Sequence, residues 1–190
     1  MRAGEVGVVF QNYPLLRHRT VMGNMLAAGA AAGLSGKDSH DRARLLLERF
    51  DLTPRASFYP AQLSGGQRQR VAIAQQLVRQ TRLVCMDEPF SGLDPASLDA
   101  TIRLLVEVAN MDELNTIMVV THDIHAALTV CDTMFVLGRD RDDQGRCVSG
   151  AKIQKTYDLV EMGLAWQEQV ELKADFVACE REIKTRFKLL

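Results

Sequence analysis

The sequence predicts an α/β fold built on a mostly parallel sheet, and three observations carry that prediction. Val6–Phe10, Leu83–Met86 and Thr116–Val120 are short apolar runs of the length of buried strands. Helical patterns separate them, and strands that alternate with helices pair in parallel through crossovers. Each run also ends on polar groups: Gln11 after the first, Asp87-Glu88 after the second, Thr121-His122-Asp123 after the third. In such sheets the carboxyl ends of the strands face the ligand, which makes these residues the candidate site.

The elements follow in order. Val6–Phe10 is the first strand. Met25–Leu34, "MLAAGAAAGL", is too short to span a bilayer and reads as a packed helix. Ala43, Leu46, Leu47 and Phe50 recur at i, i+3, i+4 and i+7, a helix for which Asp38 is the expected cap. Thr53-Pro54 opens a short turn, because proline suits a first helical position. Ser64 is the expected N-cap of a helix over 65–80, with Val71, Ala74 and Val78 on one face. Asp94-Pro95 joins a cap to a first-position proline and starts a helix toward Asn110. A helix through Ala126 and Ala127 leads to a fourth expected strand, Thr133–Leu137. Beyond Gly138, "RDRDDQGRCVSG" is charged and turn-rich, an exposed loop or hairpin connection. The tail from Asp158 reads as helical, with Cys179, Ile183 and Phe187 on one stripe.

Composition narrows the class. The 190 residues are 47% hydrophobic and 25% charged, enough to bury a core and unlike a disordered chain. A net charge of −1 gives no global attraction to nucleic acid or anionic lipid. The four cysteines are far apart with no C-x-x-C, which fits a reduced compartment. No cysteine or further histidine stands at ligand spacing from His122 and His125, so the pair is not read as a metal site.

The residue types point to phosphate chemistry. An Asp ending an apolar strand, as Asp87 does, can hold Mg²⁺ in a nucleotide site, and the adjacent Glu88 can orient or deprotonate an attacking water. His122 follows a buried strand, where a ring N–H can reach a γ-phosphate. Gln11 offers an uncharged amide to metal or water. In "QLSGGQRQR", Ser64, Gly65 and Gly66 open a helix whose free N–H groups attract phosphate, with no side chain in the way at the glycines.

In this order the motifs resemble the nucleotide-binding subunits of ATP-binding cassette (ABC) transporters. "VVFQNYPLLRHRTVMGNM" resembles the Q-loop, with Gln11 as its glutamine, and "LSGGQRQRVAIAQQL" the signature motif and its helix. "LVCMDEP" is similar to Walker B, "SGLD" from Ser91 to Asp94 to the D-loop, and "VVTHD" to the switch-histidine segment. The Q-loop wording and the short insert before the signature look most like importer-type subunits. The resemblance implies a P-loop NTPase-like parallel sheet core: a partial ATPase domain over 1–140 with a helical subdomain over about 15–80, then a hairpin and helical extension over 141–190.

The resemblance also implies roles. Glu88 would be the general base, Asp87 and Gln11 would hold or sense Mg²⁺, and His122 would contact the γ-phosphate. Ser64, Gly65, Gly66 and Gln67 would close over ATP bound to the opposite subunit, and Asp94 would link the two sites. The implied cofactors are ATP and Mg²⁺. The implied partners are a second ATPase subunit, identical or not, transmembrane permease subunits and a solute-binding protein, at the cytoplasmic face of the membrane.

Departures qualify this. The family's adenine-stacking aromatic and Walker A loop precede the Q-loop, and the 190 residues contain no G-x-x-x-x-G-K-[ST]. The expectation is a chain lacking the N-terminal part of the fold, through a truncated gene or an internal start. Three lost charge-assisted hydrogen bonds, at roughly 1.5–3 kcal/mol each, lower affinity by about 10³–10⁶, so self-sufficient ATP binding is not expected. Two alternatives follow: a non-catalytic half-site that lends its signature motif to a partner, and an ABC ATPase acting on nucleic acid or ribosomes. The short Q-loop-to-signature interval and the lack of a basic face argue against the last.

Overall fold

The structure is a computed structural model that describes residues 6–110, 116–167 and 169–187. It divides into two compact units, one up to Thr121 and one from His122 onward.

In the first unit, β1 (Val6–Val9), β2 (Leu83–Asp87) and β3 (Thr116–Val120) form a parallel sheet in the order β1-β2-β3. Val9 lies opposite Met86, and Asp87 opposite Val120, so the polar groups that follow the strands gather at one end. One face of the sheet is closed: Val9, Val84 and Met86 are buried. On the other, Val8, Met118 and Val120 are 43, 51 and 54% exposed, although parallel sheets are ordinarily covered on both faces.

The helical layer comprises α1 (Val21–Ala31), α2 (Gly36–Arg49) and α3 (Gly65–Val78), which pack on one another. The Met25–Leu34 run is largely α1, and among the described residues no helix is long and apolar enough to cross a membrane. Helix α2 is capped by Ser35, not by the expected Asp38. The Ser35 hydroxyl accepts from the Asp38 N–H at 3.1 Å, because the residue three before the donor is the one with cap geometry. Helix α3 starts at Gly65 as expected but ends at Val78, and Gln80 then turns left-handed at φ +59°. Small residues allow close contacts here. A Cβ on Gly7 would lie 2.9 Å from Gln76 Cβ, so the β1 backbone packs directly against the Gln76 side chain of α3. Helix α4 (Pro95–Asn110) closes the unit, with Leu104, Leu105 and Val108 buried.

The second unit holds α5 (Ile124–Val130), β4 (Thr133–Gly138), β5 (Lys152–Asp158) and α6 (Ala174–Phe187). Here two expectations are corrected. Thr133–Leu137 forms a strand, but it pairs antiparallel with β5 in a separate two-stranded sheet and does not join β1–β3. The turn-rich stretch after Gly138 is the hairpin connection, and a hairpin supplies β4 with a neighbour close in sequence. The tail becomes helical only at Ala174; before it lie β5, ending at Asp158, and a 3₁₀ turn at Val170–Leu172. Cys179 and Ile183 are buried with Leu128, Val136, Tyr157 and Phe176, whereas Phe187 is 48% exposed.

Cys131 packs against this cluster. Burial, with a smaller push from Asp132, raises its thiol from the ordinary 9.0 to about 12. Its folded-state pKa is raised, so its contribution to stability is complete below pH 9 and is lost as pH rises from about 9 toward about 12. We expect iodoacetamide at pH 8 to alkylate the exposed Cys147 promptly and Cys131 only after denaturation. Equal labelling rates by mass spectrometry would contradict this burial.

Candidate functional site

The site is built at the carboxyl end of the three-stranded sheet. Asp87 is the last residue of β2 and is exposed. Glu88, half-buried, turns the chain away: its N–H donates to the Val120 carbonyl at 2.8 Å, and its Oε2 accepts from the Thr121 hydroxyl at 3.1 Å. Its backbone is left-handed, φ +49°. A non-glycine residue pays about 1–2 kcal/mol for that conformation, and a following proline (Pro89) independently disfavours the right-handed alternative. Such strain persists where surrounding bonds over-determine it, and it concentrates at functional sites.

Gln11 lies two residues past β1, and its Nε2 donates to Ser91 Oγ at 3.3 Å. The structure thereby joins Gln11 to the segment that follows Glu88. Further on, Asp94 caps α4: it accepts from the Ser97 hydroxyl at 2.6 Å and the Ser97 N–H at 3.1 Å. The hydroxyl bond, then the N–H bond, holds its carboxyl below the usual carboxylate range.

Ser64 caps α3 as expected and does so reciprocally. Its hydroxyl accepts from the Gln67 N–H at 3.3 Å, while Gln67 Oε1 accepts from the Ser64 N–H at 3.0 Å. The N–H groups of Gly65 and Gly66 belong to the first turn, where they point out along the helix axis. A Cβ at either glycine would meet nothing within 4 Å. The chain's own packing therefore does not require glycine at 65 or 66.

His122 is exposed and directly follows Thr121 in the chain, at the start of the second unit. Asp123 caps α5 by accepting from the Ala126 N–H at 3.0 Å. His125 has a packing role: its Nδ1 is 3.1 Å from Glu180 Oε1, and its ring meets Phe176 edge-on at 5.4 Å. Lys184 binds the same carboxylate at 2.9 Å, and Lys184 first, then His125, holds Glu180 below the usual carboxylate range. Among the described residues no group of three His, Cys, Asp or Glu is placed to hold a metal ion.

One residue escaped sequence reasoning. Gln69 on α3 is buried at 1% exposure; its Nε2 donates to the Pro89 carbonyl at 2.9 Å, and its Oε1 accepts from the Thr101 hydroxyl at 3.3 Å. The signal was its spacing, since 69, 73 and 77 run down the buried face of α3, where a polar residue must find partners.

A parallel sheet whose strand ends carry carboxylates, an amide and a hydroxyl, with a helical layer packed beside it, is an α/β core of the P-loop NTPase-like class. The sequence model of the ABC transporter family matches residues 1–91. The chain is 34% identical over 154 residues to the methionine import ATP-binding protein MetN of Staphylococcus haemolyticus, covering 81% of this chain and 43% of that protein. It is 41% identical over 135 residues to MetN 1 of Pseudomonas fluorescens, covering 70% and 40%. The chain thus spans less than half the length of these curated relatives. Among solved structures, cbiO1 from Clostridium perfringens, part of the ABC transporter complex cbiONQ, superposes with a TM-score of 0.69 at 26% identity over 95% of this chain and 68% of that one. A dimeric ATP-binding cassette in a post-hydrolysis state with ADP and Pi gives 0.57 at 31% identity over 69% and 57%. The chain belongs to the ABC ATPase family, whose members bind and hydrolyse ATP.

Proposed function

We propose that this chain is the ATP-hydrolysing subunit of an ABC transporter that powers solute import from the cytoplasmic face of the membrane. The observation that carries the reading is the strained Glu88 turn at the sheet end, a carboxylate held by Val120 and Thr121 beside the exposed Asp87. In this reading Glu88 accepts the proton of the attacking water, and His122 stabilises charge on the γ-phosphate. Asp87 and the amide oxygen of Gln11 are hard oxygen donors, and the Gln11–Ser91 bond uses the amide's nitrogen, leaving that oxygen for a cation. They would hold Mg²⁺, which neutralises phosphate charge when bound.

Ser64, Gly65, Gly66 and Gln67 act on the nucleotide of a second ATPase subunit, for which the empty space over both glycines leaves room. Asp94 then lies at the subunit boundary. Permease subunits and a solute-binding protein complete the assembly, with no nucleic acid partner. The relatives named for methionine import favour the import direction.

A non-catalytic half-site that lends its signature motif to a partner is the second reading, favoured by the open space over Gly65 and Gly66, which the chain's own packing leaves unused. One experiment addresses both. The purified chain is titrated with ATP, then mixed with a full-length ABC ATPase subunit that carries the phosphate loop and a disabled signature serine. The half-site reading expects no binding at micromolar ATP by the chain alone and recovered turnover in the mixture. Turnover that stays at the level of the disabled subunit would sink the signature role, and micromolar ATP binding by the chain alone would remove the half-site reading.

A further inference from the structure

We infer that Gln69 is a positioning residue that holds the Glu88–Pro89 turn in its left-handed form and ties it to the signature end of α3. The inference rests on the reading of Glu88 as the base, which it deepens. Gln69 is buried on α3, five residues past the Ser64 cap, and its side chain leaves the helix to reach two other elements. The amide's orientation is fixed by chemistry: the Pro89 carbonyl only accepts, so Nε2 must face it at 2.9 Å. Oε1 faces the Thr101 hydroxyl at 3.3 Å, whose single proton is shared with the Ser97 carbonyl at 2.9 Å.

Glu88 needs this support. Its φ of +49° is unfavourable for a side-chain-bearing residue. Its own backbone is held on two sides, by the N–H bond to Val120 at 2.8 Å and by the Ser91 N–H on the Glu88 carbonyl at 3.3 Å. The Gln69 amide supplies a third restraint at the next residue, Pro89, which has no N–H of its own with which to anchor the turn. Its other end rests on α4, the helix that Asp94 caps. One buried side chain therefore connects the helix opened by Ser64, the turn that aims Glu88 and the helix opened by Asp94. A shift at the start of α3 reaches Glu88 through that amide.

The test is hydrogen–deuterium exchange on the full chain, comparing wild type with Gln69→Met, which keeps the shape and removes both bonds, and Gln69→Asn, which keeps the amide but shortens its reach. In both variants we expect the Glu88 and Ser91 amides to exchange about tenfold or more faster, the equivalent of one net hydrogen bond. The amides of Leu46, Leu47 and Val78 keep wild-type protection. Uniform loss of protection across α2, α3 and the turn would make Gln69 a general core residue and overturn the inference, as would unchanged exchange at Glu88 and Ser91. In the assembled ATPase the same variants lower kcat with KM for ATP unchanged; a rise in KM at constant kcat would also overturn it. A failure of Glu88 as base leaves the exchange result standing, so the two claims are separable.

Discussion

Glu88→Gln lowers ATP turnover of the assembled ATPase by about 10²–10⁴, the usual contribution of a positioned general base, and leaves nucleotide binding intact. The substitution is nearly isosteric. The backbone bond to Val120 is untouched, and the amide oxygen of the new residue can still accept from the Thr121 hydroxyl. What disappears is the capacity to take a proton from water. The measurement is steady-state phosphate release beside equilibrium binding of a labelled nucleotide. Retained turnover would put the base elsewhere, and a parallel loss of binding would mean that Glu88 supports the nucleotide site as a whole.

Gly29→Val is the substitution expected to damage the fold most, by about 3 kcal/mol, the upper end of the overpacking range. Gly29 is where three helices meet. A Cβ there would collide with Ser39 of α2 and press on Val78 of α3, and both residues are buried. Valine adds two methyl groups to that collision and a β-branched side chain to a helix. Gly29→Ala separates the terms, because it gains up to about 1 kcal/mol of helix propensity while meeting the same first clash. Ser39→Gly opens the space and gives up little bonding, since the buried Ser39 hydroxyl has no hydrogen-bond partner among the described residues. A double-mutant cycle by urea denaturation should therefore show strong coupling between 29 and 39. Additive effects would mean that α1 and α2 slide apart at no cost.

The parallel core was legible in the sequence because each strand is an apolar run that stops abruptly at a polar residue. Thr116–Val120 was read with the bounds the structure has, and Ser64, Asp94 and Pro95 marked helix starts by cap chemistry that acts within three residues. Pairing was not legible. Nothing in Thr133–Leu137 says whether its neighbour is a distant parallel strand or the hairpin mate Lys152–Asp158, and the mate carries charges on both sides of a single buried Tyr157. In the candidate site, Gln11, Asp87 and Glu88 could be placed at one sheet end from their positions after strands. The Gln11–Ser91 and Glu88–Thr121 contacts could not, because side-chain reach between segments 80 and 33 residues apart leaves no local pattern. Gln69 was hidden differently: it sat inside a recognised motif whose glycines and serine drew the functional reading.

The empty space over Gly65 and Gly66 bears on how this protein could be engineered. Stability-guided redesign of the chain by itself would replace both with alanine, since each change offers a few tenths to about 1 kcal/mol of helix propensity and no steric penalty. Such a variant would melt higher and pass every test made on the lone chain. Under the function proposed above, its added methyl groups would stand where a neighbour's phosphates approach backbone N–H groups. The defect would emerge only at assembly.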